Sequence, residues 1–163
     1  MKIRDITLSA LLLAAALTMY VIENQIPLPV PVPGFKLGLS NIITLITLYK
    51  WDAKHSLIIL VLRICMSAAI CGSGMTFLYS ISGGLASFAA ICILKKLSKE
   101  KMITAVSIGG AAFHHAGQIL MASIILKSTS IFIYFPILLA LGTVTGTFTG
   151  IVAGLIIKKE GKI

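Results

Sequence analysis

The chain has 163 residues, 58% of them hydrophobic and only 12% charged, with a formal net charge of +9. Its mean hydropathy is +1.03. So few charges cannot coat a water-soluble domain, in which about a quarter of residues are charged, so the composition implies an integral membrane protein of five or six spanning helices in one domain. The basic excess does not indicate a nucleic-acid partner. Its lysines fall between long apolar runs rather than on a solvated face with interleaved aromatics, so topology and anionic headgroups account for them.

The first predicted span covers about 5–23. Lys2 and Arg4 precede the apolar run Ile6–Ile22, as in a signal peptide. No small-x-small cleavage site follows and further spans come after it, so it reads as a retained helix. It carries Ala10 and Ala14 one turn apart. An outer loop over 24–36 follows, within "NQIPLPVPVPGFKLG", and holds Pro27, Pro29, Pro31 and Pro33. Alternating prolines keep a chain extended and remove backbone donors, so the loop is either a stiff cover on the bundle or a plain rigid connector.

A second helix is predicted over about 37–50. Its roughly 14 residues rise about 21 Å, less than the ~30 Å hydrocarbon core, so it ends at mid-depth or packs inside the bundle. The third, about 54–71, carries Arg63 nine residues after Lys54, about 13 Å into the membrane. The fourth, about 75–95, contains "SISGGLAS", with Ser80, Gly83, Gly84 and Ser87 on one face. The fifth, about 102–126, contains "GGAAFHHAGQILMA". Gly110, His114, Gly117, Gln118 and Met121 share a face of it, and His115 points about 100° away with Ala111, Ile119 and Ala122. The sixth, about 132–157, has Gly142, Gly146, Gly150 and Gly154 at four-residue steps, a flat stripe for close packing within the bundle or against a partner subunit.

Placing the amino terminus in the cytoplasm puts eleven of the fourteen basic residues inside. Only Lys36 and Lys127 fall outside, with Arg63 within a span. Six spans with both termini cytoplasmic keep this asymmetry, which an odd number would break.

Polar groups inside a bilayer are costly and must face the bundle interior or a wet cavity. Arg63 therefore reads as an anion or headgroup ligand, or as a structural partner of backbone carbonyls or Glu23. His114 with Gln118 reads as a binding pair and His115 as a structural hydrogen-bond partner. No metal site is implied, because His55 lies at the cytoplasmic edge and no acid lies mid-span. The cysteines, Cys65, Cys71 and Cys92, form no CxxC and read as small buried hydrophobes. There is no P-loop, G-x-S-x-G or H-E-x-x-H sequence. Asp5, Glu23, Asp52, Glu100 and Glu160 are isolated from one another, whereas prenyl diphosphate chemistry needs clustered aspartates to hold magnesium. The pattern reads as a binder or carrier with no cofactor, not an enzyme.

"PGFKLGLSNIITLITLY" (33–49), "FLYSISGGLASF" (77–88) and "GGAAFHHAGQILMA" (109–122) resemble the Gx transporter family, also labelled heptaprenyl diphosphate synthase component I. That family resembles the substrate-binding S components of energy-coupling-factor (ECF) importers, which are six-helix proteins of bacterial cell membranes. The resemblance implies an all-α membrane bundle that takes a small molecule from outside. It also implies a transmembrane coupling subunit and two ATPase subunits as partners. By position, Lys36, Ser40 and Asn41 match the segment entering helix 2 that lines the S-component pocket, and Ala10 and Ala14 match the small-residue motif that meets the coupling subunit. His114 and Gln118 match the family's helix 5 motif, whereas His115 stands where that motif more often has asparagine. The expected pocket is Lys36, Ser40, Asn41, Arg63, Ser80, His114 and Gln118. Its cations favour a carboxylate or phosphate on a vitamin-like, isoprenoid-precursor or quinone-precursor ligand. Two alternatives stand beside this reading: a membrane component associated with heptaprenyl diphosphate synthase in isoprenoid or menaquinone synthesis, and a solitary carrier self-associated through the Gly142–Gly154 stripe.

Overall fold

Lipid offers a backbone no hydrogen-bond partner, so the long apolar runs fold as helices. The computed structural model describes residues 3–26, 35–71, 74–98 and 102–159. The helices are α1 (Ile3–Glu23), α2 (Asn41–Lys50), α3 (Ala53–Cys71), α4 (Gly74–Leu97), α5 (Ile103–Leu126) and α6 (Phe135–Lys159). A 3-10 turn, Thr129–Tyr134, leads into α6, and there is no strand among the described residues. Five helices, all but α2, are long and apolar enough to cross a membrane. The protein is an all-α, multi-pass membrane-type bundle. The four prolines of the predicted stiff cover lie outside the described residues.

The predicted start of helix 2 at residue 37 is corrected. Residues 35–38 are irregular, 39–40 form a turn, and the helix begins at Asn41. The break falls at Gly38, which adopts φ +84°, in the left-handed region that only glycine enters cheaply. The remaining ten residues rise about 15 Å, half a bilayer. Eight of them are buried, so α2 is an internal half-span that touches each of the other five helices. Ser56 on α3 pins it, donating to Thr44 O at 2.8 Å and accepting from Thr47 Oγ1 at 2.9 Å.

Small residues set the tightest seams. A Cβ on Gly146 would lie 2.8 Å from Ile108 Cα, and one on Gly150 would lie 2.7 Å from Thr104 Cα. The α6 glycine stripe is therefore filled by α5 from Gly142 to Gly150, and Ser107 Oγ and Thr149 Oγ1 share a 2.8 Å hydrogen bond across this seam. Of the stripe, Gly142, Gly146 and Gly150 serve packing within the bundle, while Gly154 has no neighbour closer than 3.9 Å. On the opposite side of α5, Gly110 receives Ile91 and Ser87, and Gly117 receives the Ser82 carbonyl, all on α4.

The apolar core falls into two clusters. One surrounds α2 at the lysine-rich end, with Ile42, Leu45, Ile46, Leu48, Ile59, Ile91, Val106 and Ile157. The other, at the far end, joins Phe35, Tyr79, Ile119, Ala122, Ile131 and Leu138. Phe35 meets Tyr79 edge-on, with ring centroids 5.2 Å apart. The non-helical segment 36–40 runs between the two clusters.

Candidate functional site

Irregular backbone at membrane depth persists only where protein groups satisfy it, and two side chains, Gln118 and Glu23, do so here. Asn and Gln amides are oriented by their hydrogen-bond partners. With its oxygen turned to the donors, Gln118 accepts from Lys36 N at 3.1 Å and from His114 Nε2 at 3.3 Å, while its nitrogen donates to Lys36 O at 3.1 Å. Gln118 thus pairs with the Lys36 backbone as a neighbouring strand would. Glu23, the last residue of α1, accepts from Gly38 N and, at 3.3 Å, from Leu39 N. Arg63 Nη1 donates to Ser40 Oγ.

Three charges meet in this cluster, each nearly excluded from solvent: Glu23 4%, Lys36 4% and Arg63 5% exposed. Arg63 and Lys36 both act electrostatically on Glu23. The Lys36 ammonium is held by Asn24 Oδ1 at 2.8 Å and stands 3.5 Å from the centre of the Tyr20 ring. Glu23 offsets one of the two cations, so the cluster retains a positive balance.

Glycines bring the helices close enough for these contacts. A Cβ on Gly38 would lie 2.9 Å from Asn41 Nδ2 and 3.1 Å from His114 Cδ2. One on Gly83 would lie 2.9 Å from Gln118 Cγ and 3.0 Å from His114 Cε1. The neighbouring Gly84 faces α3 instead, against Ile64, Leu60 and Arg63. Lys36, Ser40, Asn41, Arg63, His114 and Gln118, read from the sequence as one pocket, are thus brought together. Ser80 is buried three residues ahead of Gly83 on α4.

Four atoms of the cluster are buried without a hydrogen-bond partner: Glu23 Oε2, Asn41 Nδ2, Arg63 Nε and His114 Nδ1. An unmet buried polar atom costs about 1–3 kcal/mol. Because His114 donates through Nε2, its Nδ1 is an acceptor. The cluster therefore offers two donors and two acceptors to whatever enters it. Beneath it lies a small cavity of ≈ 10 Å³, lined in part by Asn41, Ser87, Ser107, Thr145 and Thr149. That is about the room one water molecule needs.

His115 differs from the sequence expectation. It is fully buried against Gly142 of α6, where a Cβ would lie 2.7 Å from its Cδ2. Neither ring nitrogen makes a hydrogen bond of normal geometry, so it fills space rather than bridging helices. Sequence reasoning undervalued Glu23, which it named only as an isolated acid and a possible partner of Arg63, and it missed Tyr20 and Asn24. The available signal was that Glu23 is the only acid flanking the outer loop.

Ala10 and Ala14 are exposed on α1. Ala10 lines an apolar groove of ≈ 750 Å³ between α1 and α3, with Ile6, Leu13, Ile58, Ile59 and Leu62.

No curated protein and no solved structure matches the chain. A family model described as heptaprenyl diphosphate synthase component I matches residues 12–156, a stretch that takes in α2 to α5 whole and every residue of the polar cluster. With nearly its full length matched, the chain belongs to the heptaprenyl diphosphate synthase component I family.

Proposed function

We propose that this protein is a membrane substrate-binding subunit, resembling an ECF S component, that captures a small metabolite carrying a carboxylate or phosphate. The observation that carries the reading is the buried polar cluster, with two cations, one carboxylate and four unmet hydrogen-bonding atoms between two apolar cores. Buried ionisable groups in a bilayer are expensive and mark ligand or ion sites by default. A half-span that starts beside irregular backbone is also the arrangement by which transporters build sites near the membrane midplane. The apolar walls suit an isoprenoid or quinone precursor, or a vitamin with a hydrocarbon portion.

In this reading the protein is not itself an enzyme. Its acids do not cluster for metal-assisted diphosphate chemistry. Without a P-loop it draws energy from partners, a transmembrane coupling subunit and two ATPases. The lysine distribution supports both termini inside, and the resemblance to S components supports a bacterial cell membrane. The test is native mass spectrometry of the detergent-purified protein. A retained small anion is expected, with affinity at least about tenfold lower in Arg63→Ala, the loss of one charge-assisted hydrogen bond, and lower in His114→Ala, which removes the donor that orients Gln118. Normal retention in both variants sinks the reading.

The family's description favours a second reading, a membrane component that works with a prenyl diphosphate synthase. Under it, adding this chain to a soluble aspartate-rich synthase subunit raises prenyl transfer.

A further inference from the structure

We propose that the cleft between the carboxyl end of α2 and the last turns of α4 binds the headgroup of an anionic phospholipid. The cleft has a volume of ≈ 480 Å³ and is lined by Leu48, Trp51, Asp52, Ala53, Cys92, Lys95 and Lys96. It sits at the lysine-rich end of the bundle, where Lys50, Lys54, Lys95, Lys96, Lys158 and Lys159 all lie at helix ends.

Its parts divide the work of holding a lipid. Lys95 forms the floor: its Nζ donates to Leu48 O at 3.0 Å and stands 4.6 Å from the centre of the Tyr49 ring. This contact satisfies a carbonyl at the end of α2 and places the ammonium beneath the cleft. Lys96 is exposed at the rim, one turn beyond Cys92 on α4. Leu48, Ala53 and Cys92 supply an apolar wall of the kind that accepts a glycerol backbone and the first methylenes of an acyl chain. Trp51, the chain's only tryptophan, is half-buried opposite, as interfacial tryptophans are.

The single acid in the cleft, Asp52, is outnumbered by Lys95 and Lys96, and one of its oxygens is turned to the start of α3. Asp52 caps α3, with Oδ1 accepting from His55 N at 2.8 Å and lying 2.6 Å from His55 Nδ1. Basic recesses between helices at a membrane face select anionic headgroups over zwitterionic ones. This site is on the other side of the apolar cluster around α2 from the polar cluster, so it does not rest on the function proposed above.

Trp51 makes the test direct. The protein is reconstituted in liposomes of phosphatidylcholine, and either dibrominated phosphatidylglycerol or dibrominated phosphatidylcholine is titrated in while Trp51 emission is followed. Phosphatidylglycerol is expected to quench at a several-fold lower mole fraction. Lys96→Gln, on an exposed side chain that the fold does not need, lowers that preference about fivefold, the weight of one lysine at an anionic surface. Lys158→Gln, at the same end on α6, leaves it within twofold. Equal quenching by the two lipids in the unaltered protein overturns the site. So does an unchanged preference in Lys96→Gln. Equal losses in Lys96→Gln and Lys158→Gln overturn it as well, because they would reveal diffuse surface charge rather than a cleft.

Discussion

Glu23 does two jobs with one carboxylate. It satisfies the amides of Gly38 and Leu39, which have no place in a helix, and it is the negative charge beside Arg63. Removing a buried charge strands the opposite charge that it compensates, which typically costs about 3–5 kcal/mol. Glu23→Ala is therefore expected to lower stability by about that amount in SDS or thermal unfolding. Glu23→Gln keeps an oxygen to accept the amides, and so loses less. The double variant Glu23→Ala/Arg63→Met is expected to lose less than the sum of its two single changes, since neither charge is then left uncompensated. Additive losses would show that the two side chains do not form an energetic unit. The same reasoning bears on ligand binding. An anion entering the cluster meets Arg63 with Glu23 already nearby, so its affinity depends on the unmet Asn41 donor as well as on charge.

At the scale of elements, glycines decide how closely helices approach, and neighbouring positions on one stripe are not equivalent. A methyl at Gly150 meets the Thr104 backbone at 2.7 Å, which can yield only if α5 and α6 separate, whereas at Gly154 the nearest atom is Ile103 Cδ1 at 3.9 Å. Gly150→Ala is expected to destabilise by about 1–3 kcal/mol. Gly154→Ala is expected to stabilise by up to about 1 kcal/mol through helix propensity alone. Opposite signs in one thermal-unfolding series check the packing of this seam. A second element-level prediction concerns the cap of α3. The His55 backbone N–H, and then its ring, hold the Asp52 carboxyl below its usual range. A carboxyl depressed on folding stabilises above its unfolded value, near 3.9, and that contribution is lost as pH falls through the lower folded value. Trp51 emission is expected to shift with a midpoint below about 3.9, and the shift disappears in Asp52→Asn. The long helices and the α6 stripe were legible in the sequence because both signals are local: twenty or so apolar residues, and glycines at fixed steps. So were the two faces of α5, since helical spacing alone separates His114 from His115. The start of α2 was not legible. "KLGLSNIITL" reads as one apolar run, while the groups that hold its first residues out of the helix are Glu23, fifteen residues from Gly38, and Gln118, on a different helix. Long-range satisfaction of this kind leaves no periodic trace.

Over the whole molecule, burial is uneven. In α4 and α5, 39% of the best spanning window is buried, but in α1 only 11%. Helix α1 is tied to the bundle mainly at its end, through Tyr20, Glu23 and Asn24, and through the fully buried Ala16. Along the rest it exposes Ile6, Ala10, Leu11 and Ala14 beside the α1–α3 groove. Lipid covers such a face at no cost, and small residues there permit a foreign helix to approach closely. If a coupling subunit docks on this face, a larger side chain harms assembly without harming the fold. Ala10→Leu and Ala14→Leu are therefore expected to leave the unfolding midpoint of the isolated chain within about 0.5 kcal/mol of the unaltered protein, as surface changes do. The same variants are expected to lose co-purification with a tagged coupling subunit and its ATPases. Separating the two readouts gives the test its force. Lost assembly with an unchanged midpoint places the partner on α1, whereas intact assembly in both variants moves it to another face of the bundle.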